Sequence, residues 1–229
     1  MFRMKATKKY YFSVEGETEK WYLDWLQEKM NNDQAMKYKV SIDSKIQKDP
    51  LKRAKSMNVL SKIEVTHIFD YESNDDVHTI QFKEILDLLK KASTLGKQIK
   101  YNLGYSNFTF ELWIALHKIN CNGSLSHRRK YLDPINRAYG EKFESLDQYK
   151  HEDNFKRVLG KISLCEVKAA IARAKVIMER NEENGLVLQE YKGYRYYKEN
   201  PALSIWKSIE KILKECELLG EPSESLSEA

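Results

Sequence analysis

Three features of this 229-residue chain predict an α/β fold, a mostly parallel sheet flanked by helices, with a helical C-terminal part. β-prone runs and helix-period runs alternate through the first half. The second half reads helical. Charged residues at 32% beside 41% hydrophobics describe a globular chain with a real core rather than a disordered one.

Each element has its own warrant. Tyr10–Val14 is a short β-prone run ending at Glu15-Gly16. The next segment sets Trp21, Tyr22, Trp25 and Leu26 on one face, the spacing of a helix. Tyr38 to Ile42 alternates apolar and polar, as a strand does. Asp49-Pro50 starts a basic helix that the pattern carries to about Lys62. Glu64 to Phe69 is a third strand, closed by Asp70. Phe82, Ile85, Leu86 and Leu89 mark the helix after it, and Gly96 ends that helix. Gln98 to Leu103 is the fourth strand, and Gly104-Tyr105-Ser106 reads as the loop beyond it. Phe108 to His117 is a short apolar helix. Tyr131 to Tyr139 holds a further helix with a break at Pro134. Val167, Ala170, Ile171, Ala174, Ile177 and Met178 define a long amphipathic helix from Leu164 to Arg180. Ala202, Trp206, Ile209, Leu213 and Cys216 define the last, after Asn200-Pro201. The resulting division is an α/β core over 1–118, a helical part over 119–219 that packs on it, and a flexible tail over 220–229.

Composition excludes several classes. Nine Gly, four Pro and three Cys rule out collagen-like, mucin-like and disulfide-scaffold chains. Cys121, Cys165 and Cys216 are isolated, so no zinc ribbon is expected. No apolar run reaches the roughly 18 residues of a membrane span. Met1-Phe2-Arg3-Met4-Lys5 lacks the apolar stretch of a signal peptide, and a cytoplasmic location is the expectation. GxxxxGK[ST], GxGxxG and GxSxG motifs are absent, which argues against an intrinsic ATPase, a dinucleotide enzyme and a serine hydrolase.

In a parallel sheet the functional crevice lies at the carboxyl ends of the strands. Acidic residues gather at those ends. Val14-Glu15-Gly16-Glu17-Thr18-Glu19 places three carboxylates in five residues, with Gly16 permitting close backbone approach. Phe69-Asp70-Tyr71-Glu72 is followed by Asp75 and Asp76. Asp70 and Glu72 point to one side of an extended chain. Oxygen donors from one or two carboxylates, completed by substrate phosphate, are what Mg²⁺ or Mn²⁺ requires. Acids in the first turn of a helix also serve its dipole, and Glu17, Glu19, Asp75 and Asp76 can be read that way.

These two segments resemble the TOPRIM fold of topoisomerases, primases and OLD-type nucleases, a Rossmann-like arrangement. Tyr105-Ser106-Asn107-Phe108-Thr109-Phe110-Glu111-Leu112-Trp113 through His117 is similar to the S-x-P-x-F-E-x-W-x-x-x-H stretch of RloB/AbiLii-like proteins. Asn200-Pro201 before the last helix is similar to theirs as well. The resemblance implies a catalytic set of Glu15, Asp70, Glu72 and Glu111, with Glu15, Asp70 and Glu72 as metal ligands. Glu72 stands where the family usually has Asp, and Asn107 where it often has Pro. Glu111 lies among Phe110, Leu112 and Trp113, so it must be paired or functional. Glu111 and His117 are six apart, about 120° off alignment on one helix, and do not share a ligand. Glu19, Asn107 and His117 are secondary candidates, His117 being read first as a core or capping histidine.

Thirty-nine Lys and Arg against 34 Asp and Glu give a net charge of +5, which hides a segregation. Eight basic residues and two acidic ones lie between Lys37 and Lys62, and His127-Arg128-Arg129-Lys130 is a second basic run. Glu190 to Lys198 mixes cations with four tyrosines. Lys52, Arg53, Lys55, Arg128, Arg129, Lys192 and Arg195 are the candidate nucleic-acid contacts, since cations hold phosphates and aromatic rings stack bases. The expected function is a metal-dependent phosphodiesterase or nuclease on RNA (tRNA included) or DNA. By resemblance it is an antiviral, abortive-infection effector working with an AAA/ABC-type ATPase. The alternative is a non-catalytic regulatory or binding subunit of such an ATPase complex. The sequence leaves monomer and homo-oligomer both open.

Overall fold

The computed structural model describes residues 5–219. The expected flexible tail, 220–229, and the first four residues of the N-terminal segment lie outside the described residues. Four strands, β1 (Thr7–Val14), β2 (Lys39–Ile46), β3 (Ile63–Tyr71) and β4 (Ile99–Asn107), alternate with helices α1 (Glu17–Asn31), α2 (Pro50–Ser56) and α3 (Asp76–Ser93). The strands form one all-parallel sheet in the order β2-β1-β3-β4. The chain winds outward from β1 to β2, then returns to place β3 on the other side of β1. The strand order therefore reverses between β1 and β3, which is where a parallel sheet opens a crevice.

Alternation along the strands sorts the side chains onto two faces. Phe12, Val14 and Ile68 enter one core with Tyr22, Leu23 and Leu26 of α1. The helical part completes that core: α4 (Glu111–Leu116), α5 (Leu132–Tyr139), α7 (Glu152–Gly160), α8 (Leu164–Glu183) and α9 (Ile205–Glu215) all contribute to it. Val65, Phe69 and Tyr71 face the other way and pack with Phe82, Leu86 and Leu89 of α3. Large side chains such as Trp113, Tyr22 and Phe155 are fully enclosed. Each such burial stabilises the fold by roughly 1.5–3 kcal/mol.

Several expected boundaries shift, each for a local reason. The basic helix stops at Ser56 rather than near Lys62, because the Lys97 ammonium takes the carbonyls of Ala54, Lys55 and Met57. Gly104, Tyr105 and Ser106 are strand residues, not a loop. Gly104 is required there, since a Cβ would stand 2.9 Å from Thr66 Cγ2 on β3. The extended β4 is held on its outer side by residues 202–204. Asn107 N–H donates to the Ala202 carbonyl at 2.9 Å and Ser204 N–H to that of Tyr105 at 2.8 Å. This pairing delays α9 to Ile205. Pro134 does not break a helix, because it lies in the first turn of α5, where no backbone donor is needed.

Three elements had no sequence expectation. They are α6 (Leu146–Lys150), the helix α7 that follows it, and a hairpin of β5 (Gln189–Tyr191) and β6 (Tyr194–Tyr196). No helix among the described residues is long and apolar enough to cross a membrane.

Candidate active site at the strand-order reversal

Glu15 leaves β1 and Asp70 is the penultimate residue of β3, so the two flank the reversal point. The Asp70 N–H donates to Glu15 Oε2 at 3.3 Å. Asp70 shares its sheet face with Ile68 and points toward α1 and α4. Two further acids come to it from that side. Glu19, in the first turn of α1, is 6% exposed, and Glu111, the first residue of α4, has no exposure.

Local structure explains how the acids reach this point. Gly16, the α1 N-cap, is in ordinary extended conformation. Its glycine is needed for space, because a Cβ would lie 3.1 Å from Glu19 Oε2. The turn from β4 into α4 contains Phe108 at φ 66°, a left-handed conformation uncommon for a bulky residue. That turn lets Thr109 present its hydroxyl to Glu111 Oε2. Such backbone strain concentrates at functional sites.

The electrostatics are unbalanced. Burial, then Glu19 and Glu72, lift the Glu15 carboxyl to about 7, although the Asp70 N–H and Lys48 oppose the rise. Burial together with Glu19, Glu111 and Glu15 holds the Asp70 carboxyl well above its usual range. Glu19 is raised by burial and by Glu111. Lys150, at the end of α6, is the cation that faces them. Its Nζ lies 3.2 Å from Glu111 Oε1, in charge contact but without hydrogen-bond geometry. Burial pushes the Lys150 amine down, and the Glu111 and Asp70 charges outweigh that and hold it up. Ser106, opposite Asp70 in the ladder, leaves its buried Oγ unpartnered. Tyr131 and Tyr149 wall the site with buried rings, and the Tyr149 hydroxyl also lacks a partner.

The other expected residues are distributed elsewhere. Glu72 stands exposed on the rim, 3.3 Å from Arg128 Nη1 and 3.8 Å from His78 Nε2. It lines a small opening with Glu15 and Asp70, just past the end of β3, and its charge raises the Glu15 carboxyl. Asp75 caps α3 through His78 N–H, as the helix-dipole reading has it. Asn107 is fully buried, and its amide donates to the carbonyls of Tyr197, Lys198 and Glu199. His117 belongs to the core, between Tyr22 and Trp113. Arg53 is 8% exposed and paired with Asp43 Oδ1 at 2.6 Å, so it is structural rather than a phosphate contact. Lys52 and Lys55 lie on α2, after the edge strand β2. Lys192 pairs with Asp87 and Arg195 with Glu190 on the hairpin. Lys150, Tyr131 and Tyr149 were missed. Only the need of a buried Glu111 for a partner signalled Lys150, and nothing local named it.

Among the described residues no group of three His, Cys, Asp or Glu side chains could by itself hold a metal ion. Mg²⁺ does not require such a cage, since it takes one or two carboxylates and keeps its remaining places for water and phosphate. The hard oxygen donors of Glu15 and Asp70, crowded by other carboxyls and without an ion pair of their own among the described residues, fit that requirement.

Fold and site together define a parallel α/β protein with an acidic crevice at its topological switch point. The chain matches the family described as RloB-like protein over residues 10–212 and belongs to that family. No curated protein and no solved structure matches it.

Proposed function

We propose that this protein is a metal-dependent nuclease of TOPRIM type, with Asp70 and Glu15 at its centre. One observation carries the reading. Carboxylates from the ends of β1 and β3 and from α1 and α4 meet where the sheet opens; burial and neighbouring carboxylates raise the proton affinity of Glu15, Glu19 and Asp70, and the Lys150 ammonium is set against Glu111. Structural acids are normally paired into low proton affinity, as Glu141 is by Arg157 and Lys161. Unbalanced ones mark functional sites.

Asp70 and Glu15 would hold Mg²⁺ or Mn²⁺, which supplies polarisation of the phosphate and relief of leaving-group charge. Glu15 exchanges a proton near neutral pH, the range in which a general acid or base is most effective. Glu19 and Glu111 keep the potential negative around Asp70. Lys150 sets the position of Glu111 and offers a positive charge to a substrate phosphate. The Ser106 and Tyr149 hydroxyls are free to hold an ordered water. By family resemblance the enzyme acts in antiviral defence beside an ATPase, and the chain carries no phosphate-binding loop of its own. Co-purification with an ATPase encoded nearby tests that part.

The test of activity is cleavage of labelled tRNA, single-stranded DNA and plasmid in Mg²⁺ and in Mn²⁺, with and without Asp70→Ala. Cleavage by the wild type that falls at least about 100-fold in the variant is expected. Wild type and variant behaving alike, with the ATPase present, would leave the binding-subunit reading.

A further inference from the structure

Beside the acid cluster lies a polar cleft of about 660 Å³, between the 3-10 turn Arg128–Tyr131 and α6. Its size is within the roughly 300–1,000 Å³ of ligand-binding clefts. Arg128, Arg129 and Lys150 line it, with Glu144, Ser145 and Asp147. Two of the three cations also reach the carboxylates: Arg128 contacts Glu72 at 3.3 Å and Lys150 contacts Glu111 at 3.2 Å. These ion pairs join the cleft wall to the acid site, so an anion in the cleft lies next to it. Arg129 is exposed, and its guanidinium forms no ion pair among the described residues. It is a cation held ready at the cleft without an internal partner.

We propose that this cleft seats the backbone of single-stranded nucleic acid beside the bond to be cut, with phosphates on Arg129, Arg128 and Lys150 and no base being read. The proposal rests on the nuclease reading. Two observations favour it. The acids at the end of the track are recessed, with Glu19 and Glu111 buried and Asp70 partly so. A flexible strand can thread down to them, whereas a rigid duplex presents its backbone at the surface. The lining also contains no aromatic ring and no Asn or Gln. With no platform on which bases could stack, the cleft offers a strand charge contacts to its phosphates, which every sequence presents alike. Glu144 and Asp147 repel phosphate from the start of α6 and leave it to the arginine wall and to Lys150 at the far end of that helix.

The experiment is fluorescence anisotropy of labelled oligo-dT and oligo-U 12-mers in EDTA, which separates binding from cleavage, across a salt series. Three phosphate contacts predict a log–log salt slope on the order of −2 for a single strand. Arg129→Ala, an exposed position whose change leaves the core alone, is expected to weaken binding about 5- to 10-fold. It should flatten the slope by about 0.7. Lys90→Ala with Lys91→Ala, on the exposed last turn of α3, should bind as the wild type does, and a duplex of equal length should compete at least about 10-fold more weakly. The proposal is overturned if the wild type binds neither oligonucleotide, if Arg129→Ala binds unchanged, or if duplex competes equally. Normal binding with no cleavage under any metal would instead overturn the nuclease reading and leave the cleft standing.

Discussion

Glu111 and His117 sit six residues apart around one short helix, both without solvent exposure, and the fold treats them in opposite ways. His117 is satisfied at both nitrogens. Its Nδ1–H donates to the Trp113 carbonyl at 2.9 Å, so Nε2 accepts from the Tyr22 hydroxyl at 3.2 Å. Burial keeps the ring neutral by lowering its proton affinity to about 4. Glu111 has the Thr109 hydroxyl at one oxygen and a poorly aligned ammonium at the other. Its neighbours Asp70 and Glu19 are carboxyls as well, and burial and mutual repulsion raise the proton affinity of both. The same core that gives an imidazole both partners withholds them from carboxylates a few ångströms of helix away. At His117 the burial is architectural, and at Glu111 it leaves a carboxylate oxygen without a hydrogen bond beside other carboxyls.

The largest effect that can break this contrast is a crossover between the two residues. Glu111→Gln is expected to cut cleavage by about 100-fold or more while leaving the unfolding free energy within about 0.5 kcal/mol. His117→Ala is expected to lose about 2–4 kcal/mol of stability, from its cavity and the stranded Tyr22 hydroxyl. Its turnover per folded molecule should be unchanged. Urea unfolding and single-turnover cleavage of both variants decide the matter. Equal patterns for the two would remove the distinction.

A smaller effect sharpens the electrostatic half. Glu15 is raised to about 7 in the folded state, from an ordinary value of 4.5. The folded protein then binds more protons than the unfolded chain between those values. That contribution to stability is present at low pH and is lost as pH rises through about 7. Glu15→Gln removes the loss. In EDTA the variant should be more stable than wild type by about 1–2 kcal/mol at pH 8, after allowing for partial solvent screening, and no more stable at pH 4.5. Urea titrations at the two pH values measure it. A gain that is the same at both would mean that the charge of Glu15 is not what is being relieved.

Much of this was readable from the chain because the parallel sheet is a local-pattern structure. Apolar strands ending in acids, with helix-period segments between, point to Glu15 and Asp70 without any tertiary knowledge. Glu111 was flagged by its apolar neighbours for the same reason. The misreadings share a different cause. Arg53 looks like its neighbours Lys52 and Lys55, and only the tertiary pairing with Asp43 turns it inward. Gly104 to Ser106 read as a loop because the residues that pair with them, 202–204, lie about a hundred positions on. Lys150 belongs to a five-residue helix with too few turns to show a period, and its importance comes wholly from where α6 docks.

On the proposed reading, the crowded carboxyls at the strand-order reversal are held for an external cation. Calorimetric titration of Mn²⁺ into the protein at pH 7.5 measures this directly. Wild type should bind the ion saturably, Asp70→Asn should lose that binding, and Glu72→Gln on the rim should keep it within a few-fold. Absence of binding in the wild type, or equal binding by wild type and Asp70→Asn, would contradict the account.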